Sequence, residues 1–107
     1  MLVGMTHATT ATALAALGHD ARLKVFRLLV RSGDAGLNIG EIGEHLGMAP
    51  STLAYHLKTL VDARLVTQER QGRLTINRVD FDIMHQTVDF LTSECCAGVT
   101  LTRETAA

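Results

Sequence analysis

The sequence predicts a mainly α fold of the α+β class, with about five helices and one two-stranded β-hairpin, on three observations. Apolar residues recur at helical spacing along most of the chain, a single segment (65–78) switches to the period of strands, and glycine, proline and short polar residues fall between the segments. The 107 residues suffice for one domain with one core. With one Pro, no Trp and three Phe, packing falls to Ala, Leu and Val, which favours helices.

Residues 9–17 are rich in Ala, with Leu14 and Leu17 on one side. So short and apolar a helix needs a partner surface, either the body of the protein or a second subunit. Gly18 breaks it. Asp20 is the expected cap of a second helix over 20–31, with Leu23, Phe26, Leu29 and Val30 inward and Arg22, Lys24, Arg27 and Arg31 mostly on a solvated face. Residues 32–36 form a loop. Asn38 opens a third helix, with Glu41 as its capping-box partner and Ile39, Ile42 and Leu46 as its buried stripe. Gly40, Gly43 and Gly47 weaken that helix and let the next one cross closely, and Gly47 can take the left-handed C-cap.

Pro50, with no N–H to lose, fits the first turn of the following helix. There Leu53, Leu57, Leu60 and Val61 share one side, while Ser51, Thr52, Tyr55, Lys58 and Thr59 fall on the other. Two short helices meeting at such a turn make a helix-turn-helix over 39–63. Hydroxyls, a phenol and a lysine can donate to phosphate oxygens and base edges, which suits a nucleic-acid groove. An ordinary solvated amphipathic helix gives the same pattern. Strands are expected over 65–70 and 73–78 around Gln71-Gly72, with Leu74 and Ile76 half-buried. Arg70 and Arg73 then sit at the hairpin tip, where they reach phosphates beside the groove or simply decorate an exposed turn. A hairpin directly after a helix-turn-helix makes a winged helix-turn-helix.

A last helix is expected over 80–96, capped by Asp80 and carrying Phe81, Met84, Val88 and Leu91 at helical spacing, with Ile83 and Phe90 beside them. The core is already closed without its outer side. The helices at 9–17 and 80–96 are therefore expected to form a homodimer interface, which would set two recognition helices ~34 Å apart over palindromic double-stranded DNA. Residues 97–107 are expected as a flexible tail, so that 1–107 is one domain.

The formal charge of −1 looks wrong for a DNA binder, but its distribution does not. From 50 to 78, Lys58, Arg64, Arg70, Arg73 and Arg78 face only Asp62 and Glu69, a local +3; five cations and nine carboxylates elsewhere give −4. A segregated basic segment is the footprint of a nucleic-acid face. Residues 1–12 lack the positive n-region of a targeting signal, and nothing approaches the ~18 apolar residues of a membrane span. The two cysteines, Cys95 and Cys96, are adjacent and cannot staple a fold, so a reducing cytoplasm is expected.

The order of these elements and several short motifs resemble the ArsR/SmtB family of bacterial winged-helix repressors. The likeness runs from Leu14 to Cys96 and is carried by Ala16-Leu17-Gly18-His19-Asp20-Ala21-Arg22-Leu23, by Ile42-Gly43-Glu44-His45-Leu46-Gly47-Met48-Ala49, by Ser51-Thr52-Leu53-Ala54-Tyr55-His56-Leu57-Lys58-Thr59-Leu60, and by Ala63-Arg64-Leu65-Val66 with the Gly72-Arg73 wing. The resemblance implies a homodimer that sits on operator DNA and leaves it when a metal, metalloid or thiol-reactive signal binds. One arsenic-binding pattern of the family places cysteines where this chain has Leu37-Asn38-Ile39-Gly40-Glu41, without a thiol. For the family's zinc pattern on the last helices, Asp82, His85, Asp89 and Glu94 offer ligand types at the wrong spacing, and His7, His19, His45 and His56 are scattered.

The vicinal pair Cys95-Cys96 resembles the branch of arsenic-responsive repressors that sense at the end of the last helix. A third cysteine that can follow there is replaced by Val99-Thr100-Leu101-Thr102-Arg103. Trivalent arsenic is soft and prefers thiolates. Two thiols leave one of its three valences for hydroxide or a carbon substituent. The implied inducers are therefore arsenite, methylarsenite or another organoarsenical, or antimonite, with no resident cofactor required. The helix's carbonyl end should hold the free thiols protonated, and Gly98 should end the helix and let them converge. The alternative is a thiol-redox, persulfide or other metal-responsive repressor of the same fold. A thiol enzyme lacks an acid–base partner at readable spacing. A winged helix that binds protein is the remaining rival.

Overall fold

The computed structural model describes residues 4–101; the stretch of the expected tail beyond Leu101 lies outside them. Its elements run α1 (His7–Leu17), α2 (Asp20–Ser32), a single 3-10 turn (Gly33–Ala35), α3 (Ile39–Leu46), α4 (Pro50–Asp62), β1 (Val66–Gln71), β2 (Leu74–Val79) and α5 (Phe81–Thr92). This is a winged helix-turn-helix: α3 and α4 meet at the turn, and the hairpin follows directly.

Helix α1 starts two residues before the expected position. Thr6 and Thr9 form a reciprocal capping box, with Thr9 N–H donating to Thr6 Oγ1 at 3.1 Å and Thr6 N–H to Thr9 Oγ1 at 2.8 Å. Its buried side is Thr10, Ala13 and Ala16, with Leu17 half-buried against the core and Leu14 exposed. Small residues let α1 lie close on α2 and α4, which leaves bulky Leu14 on the flank. Helix α2 is capped by His19 rather than Asp20, the imidazole Nδ1 accepting from Ala21 N–H at 3.2 Å. Asp20, exposed, pairs instead with Lys24 at 3.0 Å. Phe26 and Leu29 are buried with Val25 and Leu28, whereas Leu23 points outward.

Asn38 and Glu41 close the expected capping box on α3, both bonds at 2.9 Å. Ile42 is fully buried, Leu46 is half-buried and Ile39 is exposed. Gly47 takes the left-handed cap at φ 66°. A Cβ at Gly43 would lie 3.1 Å from Met48 O, which explains how α4 can turn so tightly away from α3. In α4, Pro50 occupies the first turn and Leu53, Leu57 and Leu60 enter the core.

The hairpin pairs antiparallel from Val66↔Val79 to Gln71↔Leu74, leaving Gly72-Arg73 as a two-residue loop. Gly72 has φ 64°, the positive value such a loop requires. The buried side of β2 is Asn77 and Val79; of the two residues expected to be half-buried, Ile76 is and Leu74 is exposed. Leu74 lies too near the tip to reach the core, and Asn77 can be buried because its polar atoms are satisfied: Nδ2 donates to Leu37 O at 3.1 Å and Oδ1 accepts from Gln68 Nε2 at 2.8 Å. Backbone bonds from Leu37 N to Asn77 O (3.0 Å) and from Asn77 N to Leu37 O (2.8 Å) tie the wing to the helices. Gly36 makes that approach possible. It has φ 66°, and a Cβ there would sit 2.6 Å from Asn77 O.

Asp80 caps α5 as expected, accepting from Ile83 N–H at 3.1 Å. The helix ends at Thr92, four residues short of the expected end. Thr92 Oγ1 donates to Asp89 O (3.2 Å) and Ser93 Oγ to Phe90 O (2.8 Å), so side-chain hydroxyls take carbonyls near the helix end. Ser93 is then extended at ψ 146° and Glu94 turns left-handed at φ 62°.

Candidate functional site

The outward side of α4 presents the residues the sequence singles out. Ser51, Thr52, Tyr55 and Lys58 are exposed, Tyr55 by 64%, and Thr59 is half-buried with its hydroxyl donating to Tyr55 O at 3.2 Å. Lys58 pairs with Asp62 one turn on, at 2.9 Å, in the open. Exposed pairs of this kind are worth little, so the ammonium can leave for a phosphate at small cost.

Arg70 and Arg73 are exposed at the hairpin tip, with Arg70 Nε donating to Gly72 O at 3.1 Å. Arg78 serves a different purpose. Its Nε donates to Asp34 O at 2.7 Å and Nη1 to Glu69 Oε1 at 2.6 Å, which braces the base of the wing. That guanidinium holds the Glu69 carboxyl below the usual carboxylate range. Of the five cations between 50 and 78, Lys58 and Arg78 are thus compensated. Arg64, Arg70 and Arg73 make no ion pair among the described residues and carry the local positive charge.

The two thiols lie beyond α5, in the turn Ser93-Glu94-Cys95-Cys96, and not on the helix. Cys95 N–H donates to Thr92 O at 3.1 Å and Ala97 N–H to Glu94 O at 3.0 Å. Glu94 and Cys96 both have φ near +60° (62° and 63°), and this alternation brings the sulfurs within 3.1 Å of each other, without help from Gly98. The separation is well above the ~2.05 Å of a disulfide bond. Both thiols are exposed, and the contact with Cys96 pushes the Cys95 thiol pKa up, with burial adding a smaller push. One atom able to bond two thiols can therefore reach both from solvent. Among the described residues, no group of three or more His, Cys, Asp or Glu side chains is placed to hold a metal ion.

The face of α5 leading to this turn exposes Val88 (55%) and Leu91 (59%). Behind it, Met5, Gln86, Asp89, Phe90 and Ser93 line an open cavity of about 420 Å³ between the residues preceding α1 and the end of α5. The His7 ring meets Phe90 edge-on at 6.4 Å.

His56 was not legible as a special residue from its spacing. It lies among buried leucines, 6% exposed, with its ring 4.9 Å from that of His19. Its position about 40° from Leu60 on the helical wheel, at the edge of the leucine stripe, could have signalled burial.

Residues 17–69 match the family described as a helix-turn-helix domain. The chain is 30% identical to the arsenical resistance operon repressor of Staphylococcus xylosus over 87 residues, 81% of this chain and 77% of that protein. The chain belongs to the ArsR/SmtB family of winged-helix transcriptional repressors. Over 58 residues it is also 38% identical to an uncharacterized HTH-type transcriptional regulator, YceK, of Bacillus subtilis (strain 168); the match takes in 54% of this chain and 57% of that relative's length. Among solved structures, an ArsR-like transcriptional regulator from Rhodococcus sp. RHA1 superposes with a TM-score of 0.71 at 25% identity, covering 79% of this chain and 77% of that one. Within this ArsR/SmtB chain, no helix among the described residues is long and apolar enough to cross a membrane.

Proposed function

We propose that the chain is an arsenic-responsive repressor that binds operator DNA as a homodimer and releases it when trivalent arsenic bonds Cys95 and Cys96. The observation that carries this reading is the pair of accessible sulfurs 3.1 Å apart, directly after a helix with an unpartnered apolar stripe. With arsenite, two thiols displace two hydroxides: two S–As bonds form, two As–O bonds break, and each thiol proton leaves in a water molecule. No oxidant or reductant is needed, and the third valence keeps hydroxide. With methylarsenite the third valence keeps its methyl group, so the same two thiols satisfy it. Antimonite follows the same exchange. The arsenical resistance repressor among the relatives supports a metalloid inducer.

In this reading Ser51, Thr52, Tyr55, Lys58 and Thr59 enter the major groove, while Arg70 and Arg73 hold the backbone on either side. A second copy covers Val88 and Leu91 and adjoins α1. Cross-linking the turn after Thr92 repacks that seam and changes the spacing of the two α4 helices. An induction factor of 100 requires only about 2.7 kcal/mol of coupling between the sites.

The test is a gel-shift titration on the chain's own upstream DNA, with arsenite and with methylarsenite, for the native chain and for Cys95→Ser/Cys96→Ser. Both proteins should bind, with affinity falling as salt rises, and only the native one should be released. Release of the double variant at the same arsenical concentration refutes the sensing site. Absence of binding by both refutes the DNA reading.

A further inference from the structure

Behind the outward face of α4 lies a contact for which neither the DNA reading nor the thiols account. His56, buried in α4, has its Nδ1 enclosed and without a hydrogen-bond partner among the described residues. Its neighbour Tyr55, ring centroid 5.5 Å away, is exposed on the outward face. Against His56 stands His19, which ends the loop before α2 and caps that helix through Nδ1. A cap that accepts an N–H needs a bare Nδ1, so His19 performs this role only when that nitrogen carries no proton. Arg22, on the same side, has its Nε committed to Ala16 O at 2.7 Å.

We propose that the His19–His56 contact makes the seating of α4 acid-sensitive, so that operator affinity falls as pH drops through the range in which imidazoles titrate.

The surrounding charges all work in one direction. Burial, then His19, then Arg22 hold the His56 pKa below the ordinary imidazole value. His19 at the N-cap of α2 and Arg22 within it are the groups that bear on it. The other elements packed on α4 offer no counter-ion: α1 has only His7, which meets Phe90, and the ionisable residues of α3 (Glu41, Glu44, His45) and of β1 (Glu69, Arg70) are exposed on their own surfaces. Lys58 and Asp62, on α4 itself, pair with each other. Asp20 is held by Lys24. A proton on His56 therefore creates a buried cation beside Arg22, and a proton on His19 releases the α2 cap. Each makes the other harder to accommodate, and both separate α2 from α4.

The sign is opposite to that of an ordinary DNA binder, in which each new imidazolium adds attraction for phosphate. The inference rests on the DNA-binding reading for one measurement only. Operator affinity of the full chain should be followed at fixed ionic strength, without arsenical, from about pH 7.5 to about pH 5.5. A loss of about tenfold is expected, the factor supplied by one pKa unit of difference between seated and released α4. His19→Asn and His19→Asp both keep a capping acceptor, so α2 should still form. The first should make the loss shallower. The second places a carboxylate beside His56 and should make affinity flat or rising with acid. Native affinity that stays flat or rises on acidification overturns the proposal, as does an unchanged profile in His19→Asp.

If the chain binds no operator at any pH, the functional reading fails, and NMR titration of the imidazoles still judges the contact. A His56 midpoint below about 6.5, moving upward in His19→Asp and accompanied by α4 amide shifts, supports it. A midpoint at or above that value, or α4 amides that stay still, overturns it.

Discussion

Helices α4 and α5 are almost equal in length, 13 and 12 residues, and both are amphipathic, yet the chain holds them very differently. α4 sinks Leu53, His56, Leu57 and Leu60 into the core and is stopped at both ends by backbone devices, Pro50 at the start and left-handed Arg64 at the finish. Leu65 N–H returning to Leu60 O at 3.0 Å locks that finish. α5 buries only Ile83 and Thr87, exposes Val88 and Leu91, and is ended by two hydroxyls. In the proposed function the reader of DNA is thus built into the protein, whereas the segment bearing the thiols is attached to it along one side. A signal has to arrive where structure can still change, and under the proposed function α5 is that place.

The largest expected effect breaks the better-held side. Leu53→Ala should cost about 2–5 kcal/mol, because a fully buried leucine leaves a cavity between α2, α3 and α4. Urea denaturation measures it. Leu91→Ala should change the stability of the single chain by no more than about 0.5 kcal/mol, as exposed substitutions do. It should instead shift sedimentation toward monomer. Equal losses from the two substitutions would remove the distinction between the helices.

Gly36→Ala comes next. The added Cβ meets Asn77 O, Arg78 Cγ and Ile76 Cγ2 at 2.6–2.8 Å from a left-handed backbone, so a loss of about 1–3 kcal/mol is expected together with loosening of the wing. Hydrogen exchange at Leu37 and Asn77, which share two backbone bonds, should accelerate ahead of exchange in α4. Asn38→Ala, which removes the box at the start of α3, should cost about 1 kcal/mol by urea denaturation.

Stability against pH sharpens the same contrast. Because the His56 pKa is lowered in the folded chain, the unfolded chain binds the proton more readily. The stabilisation is therefore complete above the ordinary imidazole pKa of about 6.5 and is lost as pH falls from there toward the lowered folded value. Thermal melts should show this decline, and it should be deeper than that of a His19→Asp variant.

The same contrast explains what the residues disclosed on their own. Leu53, Leu57 and Leu60 at helical spacing, Asn38 with Glu41, and Gly47 at the turn identify the helix-turn-helix because periodicity, caps and glycine all agree there. Asn77 escaped because its burial depends on Leu37, forty residues away, and on Gln68. His19 as a cap and Thr9 in a capping box use uncommon residue types for those positions. The outward face of α4 and the thiol pair were legible as residue types. The close approach of the sulfurs was not, because it depends on two left-handed residues that are not glycine.

The smallest effect on stability probes that last point. Ser93→Ala removes the hydroxyl that takes Phe90 O, and alanine is the best helix former, so α5 should extend toward Cys95 with a change of stability within about 0.5 kcal/mol. Consecutive residues on a helix stand ~100° apart around its axis. The extension would therefore move apart the sulfurs that the present turn holds at 3.1 Å. Binding of arsenite to both thiols, followed by the loss of free thiol, should weaken several-fold even though neither cysteine is altered. Unchanged binding in a chain whose α5 has lengthened, read from its amide shifts, would show that the turn after Thr92 is not what readies the pair, and the contrast between the two helices would then have no bearing on sensing.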